Sequence, residues 1–119
     1  MPPIRRRSAL LAGLAALALP GGAAAQGEWP TRAIRLVVPF TPAGTTDIVA
    51  RLAAERLGPL LGQAVVVENR AGAGGNVGGE FVARAEPDGH TLLFTTSGTG
   101  AINFAVYAER MPYKPQDLA

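Results

Sequence analysis

The sequence predicts an α/β fold built on a parallel β-sheet. Three short apolar runs, each bounded by turn residues, are typical of strands that are buried on both faces. Segments with apolar residues at helical spacing lie between these runs, and strands that alternate with helices form a parallel sheet with right-handed crossovers. The predicted strands are Ile34–Val38, 64–68 and 91–95, and the predicted helices are 44–61 and 76–85.

The first predicted helix has one apolar face, because its large apolar residues recur at helical spacing. Gly62 follows the helix at a position where a left-handed residue commonly ends one. In the second helix Gly78 and Gly79 each lower helix propensity by about 1 kcal/mol relative to Ala. They indicate either close packing against the sheet or a helix that depends on its neighbours. The apolar residues of the first helix are Ile48, Val49, Leu52, Ala53, Leu57, Leu60 and Leu61.

Residues 1–25 are predicted to be an export signal. Arg5, Arg6 and Arg7 precede an uncharged run of Ala, Leu and Gly at 9–19. A membrane anchor or a disordered basic tail is the alternative, but the run is shorter than the ~20 apolar residues that a spanning helix needs. Small residues up to Ala25 offer a cleavage site, so we expect cleavage near Ala25.

Two export routes are open for this signal. Arg6 and Arg7 with a mildly hydrophobic segment resemble a twin-arginine signal, but Ala9 stands where such signals usually carry an aromatic residue, so the choice between the twin-arginine and Sec routes stays open. Either route delivers residues 26–119 to the periplasm as the mature protein.

The composition of the mature chain excludes several classes of function. Removing three of the eleven basic side chains leaves eight against nine acidic ones, a net charge of −1. With no Lys/Arg cluster and few aromatic residues, nucleic acid is not expected as a partner. The absence of cysteine excludes disulfide partners, thiolate metal sites and cysteine nucleophiles. His90, the single histidine, is predicted to be a solvated turn residue and not a catalytic base.

Three turns are predicted to meet at one edge of the sheet, at 40–46, 70–75 and 96–100. Ligands of parallel sheets bind beyond the carboxyl ends of the strands, where these turns lie. The turns consist mainly of Gly, Thr, Ser, Ala and Pro, without an acid–base pair, a nucleophile with its base, or a metal cluster. We therefore expect binding and not catalysis, with no cofactor and no metal. Free backbone N–H groups at helix N-termini suit a small anion.

Thr45 and Thr46 can present hydroxyl and N–H groups at the start of the first helix. Asp47 is expected either to reach back to a free N–H near Gly44 or to bind an amine or hydroxyl of the ligand, because its charge opposes direct contact with an anion. The turn 95–100 can hydrogen-bond a ligand, and a solvated turn is the alternative there.

The glycine-rich turn after the second strand invites comparison with the dinucleotide-binding fingerprint. The third glycine of that pattern would fall at Val77, and the acidic residue expected after the next strand is missing. An exported nicotinamide-dependent α/β oxidoreductase fragment is therefore kept as the alternative function. A tight turn that needs positive φ explains at least one of these glycines.

Four segments occur in order along the chain, namely WPTRAIRLVVPF, AGTTDIVAR, VVVENRAGAGG and ARAEPDGHTLL. They resemble the start of the tripartite tricarboxylate transporter solute-binding proteins, the Bug-type periplasmic receptors, over residues 28–117. The resemblance implies a type II periplasmic-binding fold, in which two α/β lobes close on a small carboxylate. It also implies membrane permease subunits as partners, and a carboxylate held by backbone groups, hydroxyls and bridging waters.

The resemblance also implies site residues and a length. Where the family commonly has a glycine, this chain has Ala43. Family members are far longer, so residues 26–119 are expected to be the N-terminal part of lobe I, an incomplete lobe, with a non-functional truncation as a further alternative. The expected ligand-binding residues are Phe40, Thr41, Ala43, Gly44, Thr45, Thr46, Asp47, Thr96, Ser97, Gly98 and Thr99, and the structural residues of the glycine loop are Gly72, Gly74, Gly75 and Asn76.

Overall fold

The computed structural model describes residues 27–118 of the protein. The predicted export signal and its cleavage site lie outside these residues. Strands and helices alternate along the chain in the order β1 Ile34–Val38, α1 Thr45–Leu61, β2 Val65–Asn69, α2 Asn76–Ala83, β3 Thr91–Leu93 and α3 Asn103–Tyr107. Short 3₁₀ turns occupy Ala73–Gly75, Ala108–Arg110 and Pro115–Leu118, and a π-helical segment spans Gly98–Ile102.

The three strands form a parallel sheet in the order β2-β1-β3, which confirms the predicted fold class. Leu36 in the central strand lies opposite Val67 on one side and Leu92 on the other. All residues of β1 except Arg35 are buried, as expected for a strand that is covered on both faces. Observed strand ends differ from the predicted ones by one or two residues, with β2 ending one residue later and β3 two residues earlier.

Helix α1 packs on the sheet with a face that differs from the predicted one. Its buried residues are Asp47, Ala50 and Ala54, and the alanines join Leu36 and Val38 in the core. The small alanine side chains let the helix lie close to the sheet. The predicted apolar face is therefore wrong for five of its residues, which are exposed: Ile48, Val49, Leu52, Leu57 and Leu60.

The ends and contacts of the helices follow from their glycines. Gly62 ends α1 in the left-handed region, at φ 71°, and its N–H donates to the carbonyl of Gly58 at 2.9 Å, as predicted. In α2 both Gly78 and Gly79 are buried. A Cβ added at Gly78 would lie 2.7 Å from the Cβ of Pro39. Close packing is therefore the reason for the glycines of α2.

His90 is buried, so the prediction of a solvated turn residue is wrong. It is only 5% exposed, and its Nε2 accepts a hydrogen bond of 3.1 Å from the N–H of Thr31. The carboxylate of Asp88 accepts from the N–H of His90 at 3.0 Å, and the ring of Trp29 lies 6.1 Å away between centroids. The segment that precedes β1 folds back over the turn before β3 and excludes water from the imidazole.

No helix within residues 27–118 is long and apolar enough to span a membrane.

Candidate ligand-binding site

The carboxyl ends of the parallel strands bring the predicted turns to one edge of the sheet. Asn69, the last residue of β2, lies opposite Val38, the last residue of β1. Its side-chain Nδ2 donates to the carbonyl of Phe40 at 3.1 Å, so the turn after β1 is bonded directly to the neighbouring strand. On the other side of β1, the N–H of Phe94 donates to the carbonyl of Val37 at 2.8 Å.

The turn after β1 exposes most of its predicted binding residues. Positions 41–45 are exposed and Thr46 is half-buried. Gly44 has an extended backbone, with φ −77° and ψ 169°, and within the described residues no side chain caps its helix. The first hydrogen bond of α1 runs from the N–H of Ile48 to the carbonyl of Gly44 at 3.0 Å. The N–H groups of Thr45 and Thr46 precede that bond and therefore have no partner inside the helix.

Asp47 is buried, at only 3% exposed, beside a turn whose residues 41–45 are exposed. Its Oδ2 accepts hydrogen bonds from the N–H of Ala43 at 2.9 Å and from Nε of Arg51 at 3.0 Å, and its Oδ1 accepts from Nδ2 of Asn69 at 2.9 Å. The bond from Arg51, then those from Ala43 and Asn69, lower the pKa of Asp47 to about 2 against the opposing effect of burial. Of the two roles expected for Asp47, the side chain therefore has the first, which is to accept a hydrogen bond from a free N–H of the turn.

The N–H that Asp47 holds belongs to Ala43, one residue before the helix cap. Ala43 has φ 68°, in the left-handed region where an L-residue with a side chain costs about 1–2 kcal/mol. The carboxylate of Asp47 thus stabilises a backbone shape that glycine would adopt more freely.

Two residues of this network, Asn69 and Arg51, were not among the predicted site residues. Asp47 and Arg51 lie four residues apart with the acid first, the favourable order for a helical ion pair, and this spacing was a signal in the sequence. The role of Asn69 had no local signal, because its partners Phe40 and Asp47 lie 29 and 22 residues away.

The glycine loop and the turn after β3 form a second hydrogen-bonded cluster. The carbonyl of Gly74 accepts from the hydroxyl of Thr99 at 3.0 Å and from Nδ2 of Asn103 at 3.1 Å. That Nδ2 also donates to Oδ1 of Asn76, a buried residue, at 2.8 Å. The two predicted turns therefore support each other.

The predicted residues of the turn after β3 divide into two groups. Thr96 and Ser97 are exposed, Gly98 is half-buried, and Thr99 is 1% exposed with its hydroxyl bonded to the glycine loop. The segment Gly98–Ile102 is π-helical, whereas the sequence predicted a small turn over 96–100. The side chain of Thr99 thus holds two loops together, and Thr96 and Ser97 are the residues of this turn that a ligand can reach.

The glycine loop has the positive φ values that a tight turn needs. Gly72, Gly74 and Gly75 have φ of 136°, 64° and 95°. A Cβ at Gly75 would collide with the hydroxyl of Thr99, so this part of the loop is filled by protein. The loop has the geometry of a structural turn, and nothing in it favours the nicotinamide alternative.

A groove of about 590 Å³ lies elsewhere, between α2 and the sheet. Its arginines are already paired: Glu68 bonds both Arg35 and Arg70, at 3.0 and 2.7 Å, and Arg84 bonds Glu80. Arg32, which also lines the groove, bonds Asp88, and Glu86 lies on the lining, so four arginines are balanced by four carboxylates. The groove is therefore less suited to an anion than the exposed turn. Within residues 27–118 no group of three or more His, Asp or Glu side chains could hold a metal ion.

Residues 49–119 match the model of the family described as the tripartite tricarboxylate transporter family receptor. The chain belongs to this family. The resemblance seen in the sequence is thereby confirmed, and the family is one of receptors.

Three solved structures are similar to this chain. The periplasmic binding protein BugD is 54% identical with a TM-score of 0.53, and the match covers 55% of this chain and 22% of BugD. Rpa4515 of R. palustris with adipate is 48% identical with a TM-score of 0.68, covering 74% of this chain and 29% of that one. MatC of Rhodopseudomonas palustris with bound malate is 42% identical with a TM-score of 0.68, covering 72% and 29%.

The similarity to these structures confirms that the α/β architecture described above has a periplasmic-binding fold. The curated relatives that the chain matches are 41–45% identical to it, and the chain spans 26–32% of their length.

Proposed function

We propose that this protein is an extracytoplasmic receptor that binds a small carboxylate for a tripartite tricarboxylate transporter. The observation that carries the proposal is the exposed N-terminus of α1, where Thr45 and Thr46 offer N–H groups that have no partner in the helix. In a chain of this receptor family, such a site matches the charge and the acceptor atoms of a carboxylate.

The ligand class follows from the same site. A di- or tricarboxylate, or a related organic acid, carries the oxygen acceptors that N–H and hydroxyl donors need. Two similar structures contain adipate and malate, both dicarboxylates. We therefore propose a small dicarboxylate as the first ligand to test.

The charge of Asp47 does not oppose this ligand. Its carboxylate is buried and paired with Arg51 at 3.0 Å, so the negative charge beside the helix start is neutralised. The macrodipole of a 17-residue helix adds the equivalent of roughly half a positive charge at Thr45. Exposed hydroxyls at Thr41 and Thr45 complete a set of donors, and Thr96 and Ser97 form the second side of the site.

The proposed organisation follows the family. Residues 1–25 direct export and are removed near Ala25, and residues 26–119 act in the periplasm as the N-terminal part of the first of two lobes. Membrane permease subunits receive the ligand. The protein binds and releases its ligand without chemical change.

The test replaces Thr45, the first residue of α1, by Pro and by Ala. Proline is tolerated at this position, it removes the N–H, and the extended backbone of Gly44 fits a following proline. Thr45→Ala is the matched control, since it removes the hydroxyl and the γ-methyl group but keeps the N–H. Calorimetric titration with malate and adipate is expected to show a Kd for Thr45→Pro at least tenfold above that of Thr45→Ala. Equal Kd values for the two variants would contradict binding by this N–H.

A further inference from the structure

The side chain of Asn69 connects three parts of the proposed binding edge. Its Nδ2 donates to the carbonyl of Phe40 at 3.1 Å and to Oδ1 of Asp47 at 2.9 Å. Its Oδ1 accepts from Nη2 of Arg51 at 3.1 Å. The first contact fixes the start of the turn after β1, and the other two fix the first turns of α1.

Asn69 itself is held by the sheet. It is the last residue of β2 and lies in register with Val38. The next N–H along the chain, that of Arg70, donates to the carbonyl of Val38 at 2.8 Å. The amide therefore extends from a fixed strand end toward a turn whose residues 41–45 are exposed.

The network around the amide is closed. Arg51 donates to both Asp47 and Asn69, Asn69 donates to Asp47, and Asp47 accepts from the N–H of Ala43. The network thus connects the end of β2 and the first turns of α1 to Ala43 in the turn between β1 and α1. Ala43, with its left-handed backbone, is the residue of the turn that most needs such support.

We propose that Asn69 is a positioning residue of the receptor, which fixes the turn 40–46 so that the N–H groups of Thr45 and Thr46 point at the carboxylate. This inference rests on the proposed function. Asparagine supplies what the position requires, because its NH₂ group provides two donors and its oxygen an acceptor. Aspartate would offer no donor and would place a second carboxylate beside Asp47, and leucine of similar size would offer neither donor nor acceptor.

The test compares the ratio of malate Kd values for Thr45→Pro and Thr45→Ala in three backgrounds. These are the natural chain, Asn69→Ala, and the matched control Arg70→Ala. The control removes the adjacent side chain, which donates to Glu68 and stacks over the ring of Phe81 on the groove side. In Asn69→Ala, the Kd for malate is expected to rise about tenfold, the factor of one well-formed hydrogen bond, and the Pro/Ala ratio is expected to fall toward one. Arg70→Ala is expected to keep the natural ratio. A general loss of stability would raise the Kd of Thr45→Pro and that of Thr45→Ala alike, so it would leave their ratio unchanged.

Two results would overturn the inference. One is a malate Kd in Asn69→Ala that equals the Kd of the natural chain. The other is a ratio of the Thr45→Pro and Thr45→Ala Kd values that is as large in the Asn69→Ala background as in the natural chain. If the ratio is already one in the natural chain, the proposed function fails, and exchange of the Ala43 N–H then decides the inference separately. That exchange is expected to accelerate in Asn69→Ala, and an unchanged rate contradicts the positioning role. Should Asn69→Ala not fold, Asn69→Ser, which keeps one shorter donor, takes its place with the same outcomes.

Discussion

Gly78 of α2 provides a sharp test of how the helix is packed on the sheet. Helix propensity alone predicts that Ala in place of Gly stabilises a helix by about 1 kcal/mol. At Gly78 the added Cβ would lie 2.7 and 2.8 Å from the Cβ and Cα of Pro39 and 2.9 Å from the carbonyl oxygen of Arg70. Two of these three atoms belong to the backbone, so no side-chain rotation can relieve the contact.

The size of the destabilisation at Gly78 is obtained by comparing the free energy of unfolding of Gly78→Ala with that of Gly100→Ala. Gly100 lies in the helical segment Gly98–Ile102, is exposed, and a Cβ there meets its nearest neighbour, Cγ2 of Thr95, at an ordinary 3.6 Å. Both variants replace a Gly inside a helical segment by Ala, so most of their difference is the overpacking, which typically costs about 1–3 kcal/mol. We expect Gly100→Ala to stabilise by up to about 1 kcal/mol and Gly78→Ala to unfold about 1–3 kcal/mol more easily than Gly100→Ala.

The assay is urea unfolding of the protein and both variants, followed by circular dichroism. The free energy of unfolding is obtained by linear extrapolation, and an unchanged slope shows that the variants differ in stability alone. If Gly78→Ala is as stable as Gly100→Ala, α2 does not approach Pro39 as described, and the support of the turn after β1 must be reconsidered.

Two further predictions concern pH. The pKa of Asp47 is about 2 in the folded protein against 3.8 ordinarily, so its share of the stability is present above pH 3.8 and is lost as the pH falls toward 2. Asp47→Asn should flatten the fall of the urea midpoint between pH 5 and 2, and an identical profile would contradict the network. Burial raises the pKa of Tyr113 above 10.0, so stability should decline as the pH rises beyond that value, and Tyr113→Phe should remove this decline. A decline of the same size in Tyr113→Phe would speak against a buried hydroxyl.

Tyr113→Phe is also informative at neutral pH. The hydroxyl of Tyr113 is buried against Gly79 and has no hydrogen-bond partner among the described residues. Because a buried hydroxyl without a partner costs free energy of desolvation, its removal is expected to leave the free energy of unfolding unchanged or to raise it by up to about 1–3 kcal/mol, and a clear loss of stability would contradict an unpaired hydroxyl.

The elements of the fold could be predicted from local patterns. The run of β-branched and apolar residues identified β1, and Gly62 marked the end of α1, because both signals lie within a few residues of the structure that they specify. The direction of the sheet followed from the alternation of strands and helices.

The packed face of α1 could not be predicted in the same way. Ile48 and Leu52 form a larger apolar stripe than Ala50 and Ala54, yet the alanines face the sheet. The pairing of Asp47 with Asn69 of β2 and the close approach of the helix determine this orientation, and both are contacts between distant parts of the chain.

The candidate site was predicted at the level of its turns, and its internal bonds were not. Backbone donors at Thr45 and Thr46 followed from the start of a helix after a strand. The burial of Thr99 and the contacts of Asn69 depend on neighbours 25 and 29 residues away, and those of His90 on a residue 59 away. Hydrogen bonds between residues that lie so far apart along the chain leave no periodic pattern in the sequence.

The central claim is that this protein binds a carboxylate, and thermal unfolding followed by circular dichroism tests it most directly. The melt is recorded without ligand and with increasing malate, adipate or a tricarboxylate, at constant pH and ionic strength. The account predicts a cooperative transition whose midpoint rises with the concentration of at least one of these acids, since a ligand that binds only the folded state stabilises it. A cooperative transition that none of the acids shifts would contradict the account.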